Sequence, residues 1–131
     1  MVDFIHNLGY QIIANRLSGQ STYASTTLQF FAWSNGTTDP TLTDTAATFY
    51  ADGSAWDTKG VESYDWDVAN KRATWNCYVS PLENTVASIT KFALGNADPI
   101  TTMFCSHKFG ALSKDNSKSY YLRFRLTMSQ V

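Results

Sequence analysis

The chain is short of charge, cysteine and long apolar runs, and each shortage excludes a class of protein. Its 131 residues carry ten basic and eleven acidic side chains, for a net charge of −1. A near-neutral chain has little long-range attraction for nucleic acid or an anionic membrane, so we expect neither as a partner. No stretch is apolar enough to cross a membrane. Asp3 and His6 interrupt any leader-like run, so we expect synthesis in a cytoplasm without secretion.

The two cysteines, Cys77 and Cys105, are too few for a disulfide framework, and both fall in predicted strands. We expect them to be reduced, buried and inert. What the chain has in excess is aromatic side chains, with eight Phe, seven Tyr and four Trp. Only 16% of residues are charged, against about 25% in a typical globular protein. A weakly charged, aromatic surface is typical of a protein that contacts neighbours.

The strongest pattern lies near the end of the chain, at residues 119–128. Apolar Tyr120, Leu122, Phe124, Leu126 and Met128 alternate with Tyr121, Arg123, Arg125 and Thr127. Successive side chains of a strand point to opposite faces, so the pattern predicts one buried face and one basic face. The two arginines fit either an ordinary solvated face or a docking face for an acidic partner.

The rest of the chain predicts further short strands. Residues 64–68 and 73–79 alternate on either side of a four-residue turn and predict a hairpin. Residues 27–33, 86–94 and 101–109 also read as strands, whereas residues 45–55 are ambiguous. Regular short strands in one domain of this length predict a mainly β fold, an antiparallel β-sandwich or barrel-like domain, with one amphipathic N-terminal helix.

The helix is predicted over residues 2–17 from apolar positions three and four apart. Phe4, Leu8 and Ile12 lie on this stripe, and Gly19 follows as a natural stop. Gly9 inside the helix suggests close packing. The helix could cap the β core, or it could be an arm that docks on another subunit. We divide the chain into this helical arm, residues 1–19, and a β-sandwich domain, residues 20–131.

Motifs for catalysis and metal binding are weak. Cys105 and His107 share a strand face, which gives half of a metal site without a second pair. Asp65 and Asp67 also share a face, but on the outside of a hairpin they are expected to be solvated. No phosphate loop, nucleophile motif or dinucleotide fingerprint is present. We therefore expect no catalysis, no bound metal and no cofactor.

A carbohydrate-binding module is the main alternative, because four tryptophans could provide stacking platforms. Trp66 and Trp75 alternate in phase with apolar neighbours, so we expect them in the core. Trp56 lies in a predicted loop and is the better candidate for contact with a ligand or partner.

The order of these segments resembles that of small structural proteins of tailed bacteriophages. Residues 8–17 are similar to their N-terminal helix, and residues 30–46 to their aromatic strand and the Thr/Pro-rich loop that follows it. Residues 86–94, 103–109 and 118–128 are similar to the later strands. The resemblance implies a virion component made in the bacterial host, most often a capsid cement (decoration) protein, otherwise a tail, baseplate or fibre subunit.

The resemblance also implies the partners. These are the major capsid protein or other virion subunits, together with further copies of the chain, with a trimer expected. Candidate contact residues come from the helix stripe, the exposed loop and the basic strand face: Phe4, Leu8, Ile12, Trp56, Arg123 and Arg125.

Overall fold

The computed structural model describes residues 2–19, 22–23 and 26–128, with only the backbone of residues 2–4. Two helices lie in this part of the chain, α1 (Asn7–Ser18) and α2 (Ala46–Ala51). The strands are β1 (Val2–Ile5), β2 (Phe30–Ser34), β3 (Trp56–Gly60), β4 (Ser63–Asp67), β5 (Arg72–Val79), β6 (Ser88–Gly95), β7 (Met103–Ser113) and β8 (Tyr120–Thr127).

The strands form two antiparallel sheets of unequal width. The larger sheet has five strands in the order β1-β7-β6-β2-β3, and the smaller has three in the order β4-β5-β8. The predicted mainly β class is confirmed, and the sheets pack face to face as in a sandwich rather than closing into a barrel. The chain passes from β3 of one sheet to β4 of the other through residues 61–62.

The main core lies between the two sheets. Phe31, Trp33 and Leu94 enter it from the larger sheet, and Cys77 and Leu122 enter it from the smaller one. Both cysteines are buried, as expected, and neither forms a disulfide within the described residues. Burial raises the pKa of the Cys77 thiol to about 12, so this side chain behaves as a small apolar group.

The predicted phase of β8 is confirmed. Leu122 is buried, and Phe124 packs its ring against those of Phe31 and Phe92, with centroids 6.0 and 4.8 Å apart. Arg123 and Arg125 point to the opposite face and are exposed. Alternation alone therefore places the side chains of this strand correctly.

The larger sheet is also covered on its outer face. Ala32 and Ala93 from the sheet pack there with Phe49 of α2 and with Ile100. A capping box starts α2, in which the Thr48 hydroxyl accepts from the Thr45 N–H at 2.8 Å and the Thr45 hydroxyl accepts from the Thr48 N–H at 3.5 Å. The sequence left this segment ambiguous.

The prediction of one continuous helix from residue 2 is wrong, because Val2–Ile5 form β1. This strand pairs with β7, and its pairing places Ile5 opposite Cys105. The helix begins only at Asn7 and ends at Gly19, whose left-handed backbone (φ 71°) matches the predicted stop.

The N-terminal segment is therefore part of the core. Ile12 is 3% exposed, and a Cβ at Gly9 would collide with the carbonyl oxygen of Phe104. This packing favours the core-capping interpretation of the helix over a free arm. Within the described residues, neither helix is long and apolar enough to span a bilayer.

Substitutions at two adjacent positions of β8 should separate its faces. Phe124→Ala removes a partly buried ring that contacts two others, so we expect a loss of about 3 kcal/mol in unfolding free energy. Arg125→Ala, on the exposed face, should change it by about 0.5 kcal/mol or less. Urea denaturation of dilute protein measures both. Equal losses for the two variants would mean that the inward and outward faces are assigned wrongly.

Candidate functional site

An apolar groove lies between α1 and the three-stranded sheet. It encloses about 500 Å³, with Ile13 and Leu17 of the helix on one side and Tyr64, Trp75 and Leu126 of the sheet on the other. Leu17 is 84% exposed, although burial of a leucine is favourable by about 1.5–3 kcal/mol. We call this surface, together with Met128 at its end, the α1–β4 groove.

The groove follows from how α1 is attached. Gly9 allows the helix to approach Phe104 of β7 closely, and Ile12 fills the end of the core. Ile13 and Leu17 come one and five positions after Ile12. They therefore lie on the side of the helix and not on the face that enters the core. Ile13 is half-buried against the core, whereas Leu17 remains open to solvent because no described element covers it.

The edge strand β4 extends the same surface. Tyr64 is 57% exposed and Trp66 is 50% exposed. Together with Trp75 they line a second, shallow depression of about 410 Å³ next to the α1–β4 groove. The expectation that Trp66 fills the core is wrong, because β4 lies at the edge of its sheet. Trp75, one strand further in, is partly buried against the core as predicted.

The predicted contact residues lie on separate surfaces. The Phe4 side chain falls outside the described part, Leu8 is half-buried and Ile12 is buried in the core. Trp56 is the first residue of β3 and lies on the outer face of the larger sheet. The centroid of its ring is 4.5 Å from that of the Tyr50 ring.

The two arginines lie on a third surface, the outer face of β8, where the Arg123 Nε–H donates to Asn76 Oδ1 at 2.7 Å. Sequence reasoning did not find Leu17, Tyr64, Trp66 and Met128 as exposed contact residues. Their apolar character suggested burial, and only the tertiary position of β4 and α1 leaves them uncovered.

A buried polar cluster lies on the outer face of the larger sheet. His6 is 0% exposed and bridges the Thr41 carbonyl oxygen, 2.6 Å from Nδ1, and Ser106 Oγ, 2.8 Å from Nε2. Contact between a histidine and a serine can activate a nucleophile. Here both side chains lie beneath the surface, so the contact connects β1, β7 and the loop before α2 instead of facing a substrate.

An ion pair lies in the same layer. Lys91 Nζ, almost completely buried, lies 3.0 Å from Asp52 Oδ2. Burial opposes ionisation of Asp52, but hydrogen bonds from Lys91 and Thr38 outweigh it and lower the pKa of this carboxyl group. Removing one member of such a buried pair typically costs about 3–5 kcal/mol. This pair therefore secures the end of α2 against β6.

Cys105 and His107 lie two residues apart on β7, as the alternation predicts. The described residues contain no group of three or more His, Cys, Asp or Glu side chains that could hold a metal ion.

No known protein family, curated protein or solved structure matches the chain.

Burial lowers the pKa of His6, and the hydrogen bond to Thr41 and the charge of Asp44 oppose the shift only partly. Below about pH 6.5 the unfolded chain takes up a proton at this residue that the folded chain resists. Stability should therefore fall as the pH drops from about 6.5, by at most about 1.4 kcal/mol per pH unit.

Urea denaturation between pH 7.5 and 5 measures this slope. His6→Gln should reduce it, whereas His107→Gln, a substitution at the half-exposed histidine, serves as the control. An unchanged slope in His6→Gln would show that His6 is not the source of the pH dependence.

Proposed function

We propose that this chain is a non-enzymatic structural protein of a phage virion, and specifically a capsid cement protein that stabilises the head through protein–protein contacts. The observation that carries the proposal is the α1–β4 groove. Leu17, Tyr64, Trp66 and Met128 are each at least half exposed, and they lie in or beside two adjoining depressions. Apolar side chains grouped in this way are typical of surfaces that bind another protein.

The character of the groove suits a protein partner. Large aromatic side chains bury much area with little loss of side-chain entropy and are enriched where proteins meet. Only Arg16 carries a charge among the groove's lining residues. The partners we propose are the major capsid protein or other virion subunits, together with further copies of the chain, as a trimer.

The virion setting comes from the sequence resemblance to phage structural proteins, with synthesis in the bacterial host. A tail, baseplate or fibre subunit would use the same kind of surface.

A carbohydrate-binding role is the second candidate function. One observation favours it: Trp66 is half-exposed and lines a shallow depression with Asp65. Exposed rings bordered by carboxylates suit flat, hydroxylated ligands.

Two exposed leucines provide a matched test of the groove. Leu17 lies in the α1–β4 groove and Leu82 in the turn after β5, and their exposed fractions are 84% and 88%. Leu17→Gln should lower the amount of protein retained on sedimented phage particles by about tenfold, equivalent to about 1.4 kcal/mol of binding energy. Leu82→Gln should leave retention unchanged. Mass spectrometry of separated heads and tails identifies the bound structure.

Absence of the protein from both heads and tails would contradict the virion role. Equal retention of the two variants would contradict the use of the groove. The carbohydrate-binding alternative predicts that adding glycans changes the tryptophan fluorescence and that adding particles does not. The change with glycans should be lost in Trp66→Ala.

A further inference from the structure

The three-stranded sheet has two edges that no described strand covers. In the order β4-β5-β8, β5 is paired on both sides, whereas β4 and β8 are each paired on one side only. Unpaired N–H and C=O groups along a strand are a template for another strand. These two edges are therefore places where the sheet could continue into another molecule.

The outward faces of the two edge strands carry opposite charge. β4 carries Asp65 and Asp67, and β8 carries Arg123 and Arg125, in each case two residues apart. The spacing of two is that of side chains on one face of a strand. One edge is therefore acidic and the other is basic, and Asp65 and Arg125 both pair with the same residue of β5, Thr74.

The inward faces match as well. Tyr64 and Trp66 point inward on β4, and Phe124 and Leu126 point inward on β8. Apolar neighbours on adjacent strands stabilise their pairing. A β4 edge laid beside a β8 edge would thus place aromatic next to apolar side chains on one face and acid next to base on the other.

Two of the four charged side chains, Asp65 and Arg125, have neither an ion-pair partner nor a side-chain hydrogen bond within the described chain. The others are engaged: Asp67 lies 3.6 Å from Arg72, between Oδ2 and Nη2, and Arg123 binds Asn76. The unengaged pair is the one that a partner strand would satisfy.

Pairing of like edges is disfavoured by the same charges. Two β8 edges side by side would set arginine against arginine, and two β4 edges would set aspartate against aspartate. Charged edge strands usually prevent such contacts. A two-fold dimer through either edge is therefore the unfavourable arrangement, and a contact between unlike edges is the favourable one.

We propose that copies of this chain assemble head to tail, the β4 edge of one copy pairing with the β8 edge of the next, with Asp65 beside Arg125. Both strands are antiparallel to β5 and so run in the same direction. Copies related by rotation about an axis along the strands would pair them in parallel, with Tyr64 beside Phe124 and Trp66 beside Leu126. Such a heterologous contact gives a closed ring when a whole number of copies completes one full turn.

This inference rests on the self-association included in the proposed function, and it names the surfaces that meet. It also explains why Trp66 is exposed in a single chain. The contact would cover Tyr64 and Trp66 on the sheet side of the α1–β4 groove. Ile13 and Leu17 lie on the helix side, outside the paired strands, so an assembled ring could still present them to a partner.

Engineered cysteines test the contact directly. Within one chain, positions 65 and 125 are separated by the width of β5, roughly 10 Å at about 4.8 Å per strand spacing. This separation is too long for a disulfide within one chain. The native Cys77 and Cys105 are buried, so oxidation should act on the introduced thiols.

Asp65→Cys and Arg125→Cys are prepared as single variants and combined in one chain. After mild oxidation, the combined variant should run as covalent multimers on non-reducing gels, whereas each single variant alone should stay monomeric. Mixing the two single variants should give a dimer that contains one of each. Circular dichroism checks that each variant is folded.

Disulfide dimers of either single variant would overturn the proposal, because like edges would then meet. A combined variant that stays monomeric at concentrations where the unmodified protein sediments as an oligomer would also overturn it. That result would not contradict the role of a particle-bound cement protein. If the combined variant forms the expected multimers but the protein is absent from heads and tails, only the virion role is contradicted.

Discussion

The unequal width of the two sheets is the constraint on which the rest of the structure depends. Three strands cannot cover five, so the larger sheet needs further cover at its end. Its outer face carries apolar residues of its own and needs a second cover. Helix α1 fills the end through Ile12, and α2 with Ile100 covers the outer face. A cavity of about 180 Å³ remains between the sheets, lined by Ile5, Phe104 and Leu126 among others.

The polar cluster on the outer face shows how the additional cover is held in place. His6 connects β1 to the loop before α2, and Lys91 connects β6 to Asp52 at the end of α2. Buried polar groups of this kind stabilise little relative to apolar ones, but breaking them is costly. They therefore favour one arrangement of loop and helix over others.

How far the sequence predicts this structure depends on the range of the interactions involved. The faces of β8, the end of α1 at Gly19 and the buried cysteines follow from local pattern and were predicted. Strand β1 exists because β7 pairs with it, an interaction across about a hundred residues that no local pattern contains. Trp66 alternates like a core residue, and only the position of β4 at a sheet edge exposes it, so the central part of the candidate site was missed.

Hydrogen–deuterium exchange at two protein concentrations tests the central claim most directly, which is that the edges of the smaller sheet are completed by another copy. Amides of β4 and β8 should exchange more slowly in concentrated than in dilute protein, because pairing between copies protects them. Those of β1, an edge of the larger sheet, should exchange at the same rate in both. Protection of β1 with β4 and β8 unchanged, or no change at any edge while the protein is oligomeric, would contradict the account.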